Sequence, residues 1–113
     1  MWKEKVGGNM LAISILGLTD KSKIIEINKT KVDYIHLDVM DGLFVPSISF
    51  GMPVIKSIRK TTEKPFDVHL MIEEPGRYIK EFAECGADYI TVHYEACKDI
   101  NATIAKIKEY GVK

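Results

Sequence analysis

The stretch His36-Leu37-Asp38-Val39-Met40-Asp41-Gly42-Leu43-Phe44-Val45-Pro46 decides how the rest of this chain is read. It opens as a strand. From Val32 to Val39 apolar residues alternate with others, until Asp41-Gly42 breaks the pattern as a turn dipeptide does. Side chains on a strand alternate faces, so His36, Asp38 and Met40 share one face and Ile35, Leu37 and Val39 the other. An imidazole and a carboxylate at the end of an apolar strand are costly to bury without partners. Two explanations suit a lone His-x-Asp: the pair satisfies itself and the backbone, or it belongs to a site.

Working outward, strand and helix patterns alternate four times. Met10 to Leu16 reads as a first strand, and Asp20 as the N-cap of a helix carrying Ile24, Ile25 and Ile27. After the opening strand and a loop through Ser47 to Gly51, Pro53 suits the first turn of a helix with Val54, Ile55 and Ile58 on one side. Phe66 to Met71 reads as a third strand. Pro75 starts a helix that turns Tyr78, Ile79, Phe82 and Ala83 inward, and Gly86 lies just past its end. Ala87 to His93 is the fourth strand, and Asp99 caps a last helix in which Ile100, Ile104 and Ile107 keep helical spacing. Gly111-Val112-Lys113 stands where a fifth strand would begin.

Repeated strand-helix units imply a parallel sheet with right-handed crossovers, either open and doubly wound or part of a closed βα barrel. The distribution of polarity selects the barrel. One face of the four strands reads Leu11, Ile13, Ile15; Ile35, Leu37, Val39; Phe66, Val68, Leu70; Ile90, Val92. The other reads Ala12, Ser14; His36, Asp38, Met40; Asp67, His69, Met71; Thr91, His93. Helices on both sides of an open sheet would require both faces to be apolar, whereas a barrel lumen accepts a polar one. All three histidines lie on that polar face near the carboxyl ends of consecutive strands, where βα folds gather ligands and catalytic groups.

Imidazoles with a carboxylate suit a divalent ion: zinc, iron(II), manganese or cobalt. His36, Asp38 and His69 are the expected ligands, from two adjacent strands. For His93 two roles stay open, support of a ligand or a plain core hydrogen bond. A metal beside a carboxylate base is equipment for removing a proton next to a carbonyl.

Composition bounds the rest. The chain has 113 residues, 46% hydrophobic and 28% charged, with 16 basic and 16 acidic residues. One soluble domain follows, with no excess charge to favour nucleic acid or an anionic membrane. Cys85 and Cys97 have no metal-site or framework spacing, which points to a reducing cytosol. Met1 to Asn9 reads as a charged extension ahead of a domain spanning residues 10–113, and the apolar run after it fits a strand better than a signal peptide. No stretch approaches the roughly 20 apolar residues of a membrane span.

Four segments in order, the opening stretch, Phe50-Gly51, Asp67-Val-His-Leu-Met71 and Thr91-Val-His-Tyr-Glu95, resemble ribulose-phosphate 3-epimerases. The resemblance implies a TIM barrel that interconverts D-ribulose 5-phosphate and D-xylulose 5-phosphate by inverting carbon 3. It implies that Asp38 is both metal ligand and proton acceptor, and that His36 and His69 are ligands. Substrate contacts fall on Ser14, His69, Met40 and Met71. The chain departs from the family pattern at Leu16-Gly-Leu-Thr-Asp20, at Leu43, where histidine is common, and at Ser47, where asparagine is usual. None of these removes a ligand. Epimerases of six-carbon ketose phosphates such as allulose 6-phosphate share the same ligands and are the nearest alternative. The related decarboxylases need a lysine in an Asp-x-Lys-x-x-Asp run, which His36-Leu-Asp38-Val-Met-Asp41 lacks.

A TIM barrel needs eight units and typically ~250 residues, whereas four units occupy this chain. The resemblance places the second catalytic carboxylate and the phosphate site in later strands and loops. The expectation is therefore half of an epimerase barrel, inactive alone and associating with itself to cover open edges. A noncatalytic half-barrel assembly module is the alternative of another class.

Overall fold

The computed structural model describes residues 12–14 and 21–113, with 12–14 and 21–23 as backbone only. Its elements are β1 (Ala12–Ser14), α1 (Lys21–Asn28), β2 (Tyr34–Met40), α2 (Met52–Arg59), β3 (Phe66–Met71), α3 (Ile79–Glu84), β4 (Tyr89–Val92) and α4 (Ile100–Glu109). Short 3₁₀ turns at Pro75–Tyr78 and Tyr94–Ala96 precede α3 and follow β4. The strands form one parallel sheet in the order β1-β2-β3-β4. This is a run of parallel βα units, a partial barrel. Lys113 continues it: its N–H donates to the Asp88 carbonyl (3.2 Å) and its carbonyl accepts from the Ile90 N–H (2.9 Å), along the free side of β4.

The alternation read in β2 and β3 is realised as burial. Ile35, Leu37, Phe66, Val68 and Leu70 are fully buried, packed with Ile24 and Ile27 of α1, Ile55 and Ile58 of α2, Ile79 and Phe82 of α3 and Ile107 of α4. Each such side chain contributes roughly 1.5–3 kcal/mol of transfer free energy, and this layer presses the helices onto one side of the sheet. The opposite side carries the half-buried His36, Asp38, Met40, His69 and Met71.

Several local expectations change. Ile25 is 51% exposed and Ile104 41% exposed, so the apolar stripes of α1 and α4 are narrower than spacing implies. In α4 the inward place is taken by Thr103, whose hydroxyl donates to the Asp99 carbonyl (3.1 Å) and so buries without a polar penalty. Asp99 does cap α4, accepting from the Ala102 N–H (3.1 Å). The segment opened by Pro75 begins as a 3₁₀ turn before becoming α3. β4 ends at Val92, one residue before His93, which caps the following 3₁₀ turn instead. Gly86, just past α3, has φ +108, and a Cβ there would lie 2.2 Å from Arg59 Cδ. The Met1 to Asn9 extension, the Asp20 cap and both ends of the expected first strand lie outside the described residues. No described helix is long and apolar enough to cross a membrane.

Candidate metal centre

Parallel register builds the centre. On β2 the order is His36-x-Asp38, and on β3 it is Asp67-x-His69. Pairing sets His36 opposite Asp67 and Asp38 opposite His69, so that acid and imidazole alternate along and across the strands. The contacts follow. Asp38 Oδ1 lies 2.9 Å from His36 Nε2 and 3.0 Å from His69 Nδ1. One ligand-capable atom from each of His36, Asp38 and His69 falls within 4.8 Å of the others. These side chains are 18%, 18% and 23% exposed, sheltered yet open to the lumen.

Each ring has a second partner. His36 Nδ1 lies 2.8 Å from Asp67 Oδ2, and His69 Nε2 lies 2.7 Å from His93 Nε2. His93 also stacks on His69, with centroids 4.9 Å apart, and meets the Phe44 ring at 5.3 Å. His93 thus contacts His69, one of the expected ligands. The hydrogen bond to Asp67 raises the pKa of His36 above the ordinary imidazole value; burial opposes this, and Asp38 adds to it. For His69 burial dominates and lowers the pKa, against the pull of Asp38. The two rings, 5.6 Å apart, thus differ in how readily they hold a proton.

The loop after β2 is tied at both ends. Asp41 Oδ1 accepts from the Leu43 and Phe44 N–H groups (2.9 Å each), and Oδ2 accepts from Glu73 N–H (2.8 Å). Burial pushes the Asp41 pKa up, but these backbone bonds outweigh it and hold the carboxyl below its ordinary value. Gly42 follows at φ +74, where a Cβ would meet Ile48 Cγ1 at 2.7 Å. The loop returns through the Asp41–Ile48 bridge to Ser49. The Ser49 hydroxyl donates to the Asp38 carbonyl and receives the Met40 N–H, both at 2.9 Å. Loop ends are thus stapled to the strand that carries His36 and Asp38.

Met40 and Met71 are register partners at the strand ends, half-buried beside the cluster. Ser14 is the register partner of His36, and its side chain lies outside the described part. Glu95, on the turn after β4, is 73% exposed and 4.0 Å from His93. Asp67 and Ser49 were not among the expected site residues. The signal for Asp67 was its position on the polar face, but its partner depends on register; Ser49 carried no signal.

A sequence profile of the Ribulose-phosphate 3 epimerase family matches residues 10–113. Ribulose-phosphate 3-epimerase of Bacillus subtilis (strain 168) is 49% identical over 109 residues, 96% of this chain and 49% of that protein. The enzyme of that name from Methanocaldococcus jannaschii is 41% identical over 109 residues, 96% of this chain and 45% of its own length. That from Aquifex aeolicus (strain VF5) is 49% identical over 81 residues, 72% of this chain and 36% of its own. The chain therefore spans about half the length, or less, of the curated relatives it matches. Among solved structures, an orotidine 5'-monophosphate decarboxylase from M. jannaschii superposes with a TM-score of 0.60 at 24% identity, over 92% of this chain and 49% of that one. That likeness is one of fold, a TIM barrel. By the profile match over nearly all its length, and by relatives up to 49% identical over the matched stretch, this chain belongs to the ribulose-phosphate 3-epimerase family.

Proposed function

We propose that residues 10–113 form the metal-binding half of a ribulose-phosphate 3-epimerase, acting on a pentulose 5-phosphate. The observation that carries the reading is the convergence of two imidazole nitrogens on one Asp38 oxygen, at 2.9 and 3.0 Å. Two neutral nitrogen donors and a carboxylate fit a divalent ion of the zinc, iron(II), manganese or cobalt group. His36 Nε2, His69 Nδ1 and Asp38 would hold it. When bound, such an ion supplies positive charge that stabilises the oxyanion developing as the carbon 3 proton leaves.

Asp38 is the proposed base that takes this proton. Its strand position is rigid, and the Ser49 staple fixes its backbone. His69 orients the Asp38 carboxylate from the neighbouring strand and lies on the substrate side with Met40 and Met71. The methionines supply an apolar, polarisable wall beside the reacting carbon. Ser14, opposite His36 in register, is the proposed strand-one contact to substrate. Inversion requires a second acid-base group on the other face of carbon 3. Asp41 is committed to three backbone N–H groups and Glu95 is exposed on a turn, so neither suits. A further barrel strand is the proposed source.

The test is epimerisation and solvent deuterium exchange at carbon 3 of ribulose 5-phosphate. A barrel carrying this half should catalyse both, and the 113-residue chain alone neither. The same assay with allulose 6-phosphate separates the six-carbon alternative. Exchange that survives removal of both ligand histidines would sink the assignment. We further propose that the isolated chain is a homo-oligomer, its open sheet edge and lumen face covered by a second copy. Light scattering at micromolar concentration should show a dimer, and a cooperatively folded monomer would contradict it. Free Cys85 and Cys97 suit a cytosolic setting.

A further inference from the structure

We infer that Asp67 is a positioning residue, one that fixes the tautomer and orientation of His36 so that its Nε2 faces the metal centre. The inference rests on the metal reading of His36, Asp38 and His69. Asp67 is only 6% exposed, on the lumen side of β3, where a carboxylate without a partner would be expensive. Among the described residues its side chain meets two groups. His36 Nδ1 is 2.8 Å from Oδ2, and the Thr91 hydroxyl donates weakly to Oδ1 at 3.5 Å. Asp67 therefore touches the ring on the side away from Asp38, and it is not among the ligand-capable set.

A carboxylate can only accept, so the short contact places a proton on His36 Nδ1. Asp38 Oδ1, 2.9 Å from Nε2, invites a proton there by the same rule, so the choice falls when a cation takes Nε2. The ring's remaining proton then stays on Nδ1, held by the shorter bond to Asp67, and the negative charge behind the ring makes Nε2 a stronger donor. Register is what secures the arrangement, because His36 and Asp67 are direct cross-strand partners between two inner strands. His69 has another histidine, not a carboxylate, in the equivalent place: His93 at 2.7 Å. The two ligand rings are thus supported unequally, and the anionic support goes to His36.

Two measurements test this, one needing no metal. Nitrogen-15 NMR of the metal-free parent chain, in the alkaline range where imidazoles are neutral, should show His36 as the Nδ1–H tautomer. In Asp67→Ala it should change to Nε2–H, donated to Asp38. Zinc affinity, by competition with a chromophoric chelator, should fall about 10–100-fold in Asp67→Asn, which keeps shape and an acceptor but loses charge. Far-UV circular dichroism checks the fold, and the isosteric Asn variant stands in if Asp67→Ala does not fold. An Nε2–H tautomer in the parent overturns the inference, as does a folded Asp67→Asn that binds zinc within about twofold of the parent. If the parent binds no zinc, the metal reading fails separately, and the parent's tautomer alone decides the role of Asp67.

Discussion

At the amino-terminal ends of β3 and β4, the Arg59 guanidinium is enclosed by groups that all accept. It donates to the carbonyls of Gly86 (3.2 Å), Thr62 (2.7 Å) and Lys64 (2.6 Å) and to Asp88 (3.2 Å), and lies 3.8 Å over the Phe66 ring. Asp88 in turn accepts the Phe66 N–H at 2.8 Å. On the lumen face of β2 and β3 and just past β4, two carboxylates and three imidazoles crowd together, and one Asp38 oxygen serves two rings. The first cluster matches donors to acceptors and closes on itself. The second has acceptors and titratable nitrogens that compete, in side chains 9–35% exposed. Fixed donors set among acceptors knot loops together, whereas titratable nitrogens set among carboxylates are the kind of group that can take a cation or a proton. Burial and charge alone do not mark a site; the balance of donors and acceptors does.

The comparison breaks most visibly at Asp38. In an eight-unit barrel carrying this half, Asp38→Asn should lower epimerisation by ~10²–10⁴-fold with the circular dichroism unchanged, because an amide cannot accept the carbon 3 proton. Near-normal turnover would remove Asp38 as the base. At the other end, Arg59→Ala should cost about 2–4 kcal/mol in denaturant unfolding, since four acceptors lose their donor. Its zinc affinity should stay within about twofold, because Arg59 bonds none of the three expected ligands. A large change in affinity would show that the ends are coupled.

Much of this was legible from periodicity. Strict alternation in β2 and β3 put Leu37 and Val68 in the core and His36, Asp38 and His69 on one face, because a one-residue slip would have inverted both sets. What stayed hidden depends on partners remote in sequence. The His36–Asp67 bond follows from register, which two individual strands cannot state. The Ser49 staple follows from how the loop returns. Thr103 displaces Ile104 from the interior of α4 because Thr103 can satisfy its hydroxyl within its own helix, a choice made by packing rather than by spacing. β4 stops before His93, so that the third histidine reaches His69 from a turn rather than from the strand itself.

Smaller effects sharpen the contrast at the loop. Asp41→Ala should cost about 1–2 kcal/mol by freeing three backbone donors. The folded-state pKa of Asp41 is depressed, so its stabilisation is in full force above about pH 4 and is lost as pH falls through the lower, folded value. Acid unfolding of the parent should therefore be steeper than that of Asp41→Ala, and identical acid limbs would show that the carboxylate is not holding the loop. Ser49→Ala should cost about 1 kcal/mol, the least of the set, with a small loss of zinc affinity because the end of β2 loosens. An unchanged unfolding midpoint would show that the staple is dispensable.

The stoichiometry of zinc on the folded chain bears most directly on the His36–Asp38–His69 centre. Equilibrium dialysis with elemental analysis should find one ion per parent chain and none on the triple variant His36→Ala, Asp38→Asn, His69→Ala, with circular dichroism confirming that both are folded. Equal binding by the two chains, or none by a folded parent, would contradict the metal centre described here.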